Sequence, residues 1–304
     1  MSSPLETFSE SLVELIAEAA AGVVAVKAAP YRVSSGVSLP DNLIAVCHHA
    51  LKREGRVPIQ NHQGKEGVAE VLGRDPSVDV AILRTEALTL KPLPIAEPST
   101  LQPGALAAVV GMTADVGPSA SLGLVGAVGP ARRTWRGGTL DQFLRLEVNL
   151  YPSQYGAAVV NAAGQLIGLA TPALSRHSTI AVPAATLQRI ASELLREGRI
   201  RQGYLGIGAQ PVAIQASVAA KQPDLPQAGL ILLSVEPDSP AETAGLQIGD
   251  ILLELDAHRI SSIEELQSLL RGDAVGKQVQ AVVLRGGNVE RVALTIAERA
   301  HKAG

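Results

Sequence analysis

Aromatic side chains are nearly missing from this 304-residue chain, at 2% of its composition. Its cores must therefore be filled by Val, Leu, Ile and Ala, and hydrophobic residues make up 46%. Cysteine is scarcer still: the one copy, Cys47, excludes an internal disulfide scaffold. Neither sign of charge dominates, since 26 basic and 29 acidic residues leave a net charge of −3. There is thus no electrostatic case for nucleic acid or an anionic membrane surface as partner. Long apolar runs are lacking as well. The opening segment carries Glu6, Glu10, Glu14 and Glu18 and no basic residue. Its longest uncharged apolar stretch, Ala19 to Val26, is far short of a membrane span of about 20 residues. A secretory signal needs a basic start and an unbroken apolar centre. The sequence as it stands therefore reads as cytoplasmic, or as extracytoplasmic if a leader has been removed.

What is present divides the chain in three. Residues 1–20 read as a helix: Ser3-Pro4-Leu5-Glu6 fits a capping box with proline at the first helical position. Leu5, Phe8, Leu12, Leu15, Ile16 and Ala19 follow at helical spacing, either facing the core or forming a self-association face. Residues 21–200 hold short β-prone runs, such as Leu43–Val46, Ala81–Leu83, Leu144–Val148 and Leu166–Ala170, between Gly, Pro and Asp. Many short strands without alternating helices predict a sandwich or barrel rather than a parallel α/β sheet. Ala184–Glu197 is a helix with Leu187, Ile190, Ala191, Leu194 and Leu195 as its stripe and Gly198 as its stop. A short polar linker then leads into residues 201–304, a small α+β unit.

That last unit contains GYLGIG at 203–208 and SPAETAGLQIGDIL at 239–252. Gly245 and Gly249 permit a turn between a short helix and a strand, Leu246 and Ile248 anchor it, and Asp250 can cap it. The unit resembles a PDZ domain of the bacterial HtrA (Deg) type. The resemblance implies that an extended peptide adds a strand to a sheet edge, with its terminal carboxylate on backbone N–H groups. By the same resemblance Tyr204, Leu205, Gly206 and Ile207 form the carboxylate loop. Gly206 would let backbone approach the ligand, and Leu205, Ile207, Leu266 and Leu270 would line a pocket for an apolar last side chain.

Three segments of residues 21–200 stand in a telling order: NLIAVCHHAL at 42–51, GRDPSVDVAIL at 73–83, and EVNLYPSQYGAAVVNAAGQLIG at 147–168. They resemble the histidine, aspartate and serine segments of the HtrA (Deg) proteases, whose domain is a trypsin-like double β-barrel. The overall expectation is mainly β: that double barrel followed by the PDZ unit. By resemblance His49 is the base and Asp79 the carboxylate that orients it. The family's Asn-Pro-Gly-Asn-Ser-Gly-Gly-Pro-Leu aligns with Tyr151 to Val159, held in register by Pro152 and Gly156. Tyr155 then falls at the nucleophile's position and Ser153 at the oxyanion-loop glycine. A phenol titrating near pH 10 is a poor nucleophile at neutral pH, and its oxygen lies too far from the backbone. The Tyr155 ring is expected to fill the former substrate pocket with its hydroxyl toward His49. Ser153, two residues away, should not overlay the lost hydroxyl.

Cys47, His48, His49 and His62 raise the question of a metal. Along a strand residues 47 and 49 face one side and 48 the other, so the three do not converge, and no metal or other cofactor is expected. Arg132, Arg133 and Arg136 beside Trp135 read as a solvated loop. The leading expectation is a catalytically inactive HtrA-like pseudoprotease that binds protein C-termini or unfolded polypeptides. It would act as scaffold, chaperone or regulator of an active HtrA relative in protein quality control, and the resemblance implies a homotrimer. The alternatives are an active ATP-independent serine endopeptidase and a purely structural assembly protein.

Overall fold

The computed structural model describes residues 3–29, 32–52, 55–197, 203–214, 225–270 and 274–298. It separates into two compact units, Met1–Ile200 and Arg201–Gly304. Gly198 and the Arg199–Gln202 part of the expected linker lie outside the described residues.

Unit 1 opens with helix α1 (Pro4–Ala20), capped as its sequence requires: the Glu6 N–H donates to Ser3 Oγ at 3.2 Å, and the Ser3 N–H donates to Glu6 Oε2 at 2.6 Å. Its apolar stripe does not all face the core. Ala19 and Ala20 are buried, whereas Leu5 is 80% and Phe8 45% exposed. Only the C-terminal half of the helix meets the core.

Two closed six-stranded barrels follow. The first joins β1 (Val23–Ala29), β2 (Arg32–Leu39), β3 (Leu43–Cys47), β4 (Arg56–Gln60), β5 (Glu66–Asp75) and β6 (Val80–Arg84) in the order β1-β2-β3-β6-β5-β4. The second uses β7 (Leu106–Thr113), β8 (Gly117–Gly129), β11 (Phe143–Glu147), β12 (Ala158–Val160), β13 (Leu166–Thr171) and β14 (Thr179–Pro183), in the order β11-β14-β13-β12-β7-β8. A small ribbon, β9 (Arg132–Arg133) with β10 (Thr139–Leu140), lies between β8 and β11 in sequence.

Alternation along the strands sends one set of side chains into each barrel and the other set outward. Val24, Ile44, Val57 and Leu83 fill the first barrel; Val109, Leu144, Val159 and Ile167 fill the second. Val37, Cys47, Ile82, Val110, Leu169 and Val182 pack between the two, with Leu187 and Ile190 of α2 (Ala184–Glu197). The functional segments border this shared core. Strand β8, 13 residues long, is invisible to β-propensity because it reads GPSASLGLVGAVG. Two of its glycines are dictated by packing: a Cβ would meet the Glu147 carbonyl oxygen at 2.3 Å on Gly123 and the Glu147 carboxylate on Gly126.

Unit 2 is a sheet in the order β16 (Ile207–Ala213), β17 (Ala228–Val235), β18 (Ile251–Leu255), β20 (Gln278–Arg285), β21 (Asn288–Thr295), with β19 (His258–Arg259) on β18. A second pair joins β15 (Gly203–Tyr204) to β22 (Ala297–Glu298). Two short helices, α3 (Pro240–Thr243) and α4 (Ile263–Leu269), carry the serine caps Ser239 and Ser262. Strand β16 pairs on one side with β17 and stands at the end of the sheet order.

Candidate functional site

Strand β3 ends at Cys47 and passes into a three-residue 3₁₀ turn, His48–Ala50. The pairing of β3 with β6 sets Cys47 opposite Val80 and so brings Asp79 to the start of that turn. Asp79 has φ 60°, a left-handed conformation that aspartate tolerates, and its carbonyl accepts the His48 N–H at 3.1 Å. The carboxylate is fully buried and triply bonded. It accepts the His49 N–H at 2.9 Å, His49 Nδ1–H at 2.8 Å and the Thr171 hydroxyl at 2.5 Å. Burial pushes the Asp79 carboxyl up, but the bonds from His49 and Thr171 outweigh it and hold the group below the usual carboxylate range. Asp79 is thus an anion that fixes Nδ1 as the protonated nitrogen of the ring. The His49 side chain keeps 30% exposure, so one end of the pair faces solvent. Thr171 escaped sequence reasoning; it sits 92 positions from Asp79, at the end of β13.

The 151–156 segment approaches from the second barrel. Pro152–Gln154 is a 3₁₀ turn, and its hydrogen bonds run inward on itself: the Gln154 N–H donates to the Tyr151 carbonyl at 2.8 Å and the Tyr155 N–H to the Pro152 carbonyl at 3.3 Å. Gln154 is 1% exposed and is another residue that sequence reasoning missed. Its Oε1 accepts the Tyr151 N–H at 3.1 Å, and its Nε2 donates to Ser121 Oγ at 2.9 Å. The first barrel grips the same segment. The Ser35 N–H donates to the Tyr155 carbonyl at 2.9 Å, and Ser35 Oγ–H donates to the Ser153 carbonyl at 2.6 Å. The Tyr155 ring packs on the inter-barrel core, its centroid 5.5 Å from that of His49 with the planes at 54°. Among the described residues, no hydrogen bond joins Tyr155 or Ser153 to the His49 ring.

Gly156, at φ 82°, is what lets the segment approach: a Cβ there would meet the Ser35 carbonyl oxygen at 2.2 Å. Gly156→Ala is expected to destabilise unit 1 by about 3 kcal/mol or more. Gly164 shares the left-handed backbone but has nothing closer than 3.5 Å, so Gly164→Ala should cost only about 1–2 kcal/mol. Denaturant unfolding of the two variants checks this; equal losses would show that the close approach does not matter.

Cys47 is 1% exposed, and its thiol donates to the Ala170 carbonyl at 3.5 Å. Burial, then the neighbouring Asp79 carboxylate, pushes the thiol pKa well up, so it is a neutral S–H group. His48 turns to the other side, where Arg74 stands 3.5 Å from its Nδ1. Cys47 and His49 meet Asp79 instead: one donor atom from each of the three lies within 4.8 Å of the others. Spacing within a single segment did not reveal that combination.

In unit 2, Leu205 and Leu266 are 2% and 5% exposed and belong to the core, while Ile207 and Leu270 are only partly buried against it. Gly206 has φ 79°, and its missing side chain makes room for Ser239, whose Cβ would lie 2.2 Å from a Cβ at 206. That position therefore needs glycine for the packing of α3's capping residue. Tyr204 donates its hydroxyl to Glu236 Oε2 at 2.5 Å. The 245–250 turn is anchored by Leu246, 4% exposed, but not by Ile248, which is 68% exposed. Asp250 caps it, accepting the Gln247 N–H at 2.8 Å, and also takes a two-point contact from Arg285 at 2.8 and 2.7 Å. Arg285 also donates to the Gly245 carbonyl at 2.8 Å and was not foreseen.

A family model described as a trypsin-like peptidase domain matches residues 34–169, and one described as a PDZ domain matches residues 203–296. A probable periplasmic serine endoprotease DegP-like of Halomonas elongata is 27% identical over 263 residues, covering 85% of this chain and 54% of that protein. The periplasmic pH-dependent serine endoprotease DegQ of Escherichia coli is 28% identical over 255 residues, covering 82% and 55%. The chain spans about half the length of these relatives. Among solved structures, the serine endoprotease from Yersinia pestis matches with a TM-score of 0.74 at 25% identity, covering 95% of this chain and 98% of that one. The HtrA-type protease AlgW with a decapeptide matches with a TM-score of 0.73 at 21% identity and the same coverage, a likeness of fold. Unit 1 is therefore a trypsin-like double β-barrel and unit 2 a PDZ domain. No helix among the described residues is long and apolar enough to cross a membrane.

Proposed function

We propose, from the HtrA (Deg) architecture of this chain, a trypsin-like peptidase domain followed by a PDZ domain, that it is a pseudoprotease that holds polypeptide ends. The observation that carries this reading is Tyr155. The resemblance of the 151–159 segment supports reading Tyr155 at the position of the family's nucleophilic serine, and its ring lies 5.5 Å from that of His49. A phenol is a weak nucleophile at neutral pH. An oxyanion site also needs inward, unoccupied N–H donors, and the Tyr155 N–H is spent on the Pro152 carbonyl. His49, Asp79 and Thr171 are then a retained base, orienting acid and supporting hydroxyl without a partner to activate. The same triad favours a second reading, an active serine endopeptidase, in line with the names of the relatives.

Binding would run through the PDZ domain. The free edge of β16 offers main-chain groups for an added strand, next to a 204–207 loop whose Leu205 and Gly206 N–H groups no backbone carbonyl engages among the described residues. Partners would be protein C-termini or unfolded segments, and the role that of scaffold, chaperone or regulator of an active relative, assembled as a homotrimer. The periplasmic names of the relatives favour an extracytoplasmic setting. A fluorescence titration tests the binding. Peptides ending in a free apolar residue are expected to bind with Kd of about 1–100 μM and to lose at least about tenfold on C-terminal amidation. Equal affinity for acid and amide would exclude carboxylate recognition.

A further inference from the structure

We propose that Cys47, His49 and Asp79 together form a binding site for one borderline-soft divalent cation, Zn(II) being the best match. The three reach one point from different parts of the chain: Cys47 from the end of β3, His49 from the turn after it, and Asp79 from the turn before β6. Their donor atoms lie within 4.8 Å of one another. Donors bound to one tetrahedral zinc are about 3–4 Å apart, so the cluster would contract by about 1 Å at its widest. His49 Nδ1 and Asp79 Oδ2, at 2.8 Å, are already nearly at that spacing. A thiolate, an imidazole and a carboxylate form a donor set for zinc or cobalt, too soft for magnesium or calcium.

The surroundings suit a site of this kind. The carboxylate that would hold the ion is itself held by the Thr171 hydroxyl and the His49 N–H, as the outer partners of metal ligands are. The Cys47 side is apolar, since Cys47 belongs to a buried hydrophobic cluster that includes Val78, Val80, Leu169 and Val182. The His49 side chain, 30% exposed, gives the way in. Binding would release the Cys47 S–H proton to solvent and shift the His49 Nδ1 proton to Nε2, so that a thiolate and a neutral imidazole meet the cation. The site does not depend on whether the chain cleaves peptide bonds.

The test uses the full chain and Co(II) as a spectroscopic stand-in. A thiolate-to-cobalt charge-transfer band in the near ultraviolet is expected to grow to one equivalent and to be abolished by Zn(II). Cys47→Ser should remove the band, His49→Gln should weaken cobalt binding at least about tenfold, and His62→Gln should leave both unchanged. No band in the wild type, or a band that survives Cys47→Ser, would overturn the site. Should Cys47→Ser fail to fold, as judged by circular dichroism, His49→Gln decides: wild-type affinity in that variant overturns the site equally.

Discussion

Casein incubated with the wild-type chain is expected to be cleaved no faster than with His49→Ala, whereas Tyr155→Ser combined with Ser153→Gly should exceed both by at least about a hundredfold. The physical case is the state of the two halves of the machinery. The proton-accepting half is complete, since Asp79 is buried, ionised and bonded to His49 and Thr171. On the pseudoprotease reading, what is wanting is a nucleophile at 155 and a free donor in the 152–155 turn, where the Tyr155 N–H is tied to the Pro152 carbonyl. Loss of one oxyanion donor alone costs about 10²–10³ in rate. Tyr155→Ser by itself should therefore gain much less than the double variant, in which glycine at 153 allows the turn to reopen. Hydrolysis by the wild type that disappears in His49→Ala would end the pseudoprotease reading. A double variant as inert as the wild type would mean that Gln154 and Ser35 hold the turn shut whatever occupies 153 and 155.

The PDZ domain should show the second large effect at Arg285. Asp250 is 2% exposed, and its carboxylate is matched by the Arg285 guanidinium. Arg285→Met removes that match and leaves a buried anion supported chiefly by the Gln247 N–H. The expected cost is about 3 kcal/mol, at the low end for buried pairs because Arg285 keeps 28% exposure. The pH dependence should change with it. Burial raises the Asp250 carboxyl, but the Arg285 bonds and the Gln247 N–H more than offset this and hold it below its ordinary value. A group with a depressed folded pKa stabilises fully above its unfolded value, near 4, and loses that contribution as pH falls through the folded value. The wild-type domain should therefore weaken below about pH 4, and Arg285→Met should lose less on the same descent. Urea unfolding at neutral and acid pH measures both, and parallel pH profiles would remove Asp250 from the account.

Much of this was open to reading in the chain itself, and the reason is local. Ser3 and Glu6 cap α1 through groups three residues apart. The stripe of α2 and the short β-branched runs repeat at the period of their own backbone. His49, Asp79 and Tyr155 stand in sequence frames long enough to align. Residues chosen by distant neighbours leave no such mark. Thr171 serves a carboxylate 92 positions away, Arg285 a turn 35 positions back, and Gly123 and Gly126 of β8 yield space to Glu147. Phe8 and Ile248 have the pattern of core residues and yet stay exposed, because periodicity says which face is apolar and not whether anything covers it.

The feature that opened the reading, a chain with one cysteine and hardly an aromatic ring, divides along the same line. By itself the sequence determined that the cores would be aliphatic and the first 200 residues rich in short strands, and its resemblance to the HtrA (Deg) proteases led to two barrels and a PDZ domain. Only the tertiary structure decided that the lone Cys47 meets His49 and Asp79, and that Tyr155 lies against the imidazole. The β3–β6 register brings Cys47 and His49 to Asp79, and the packing of one barrel on the other carries Tyr155 to that ring. Both are set by non-local pairing, which no local pattern encodes.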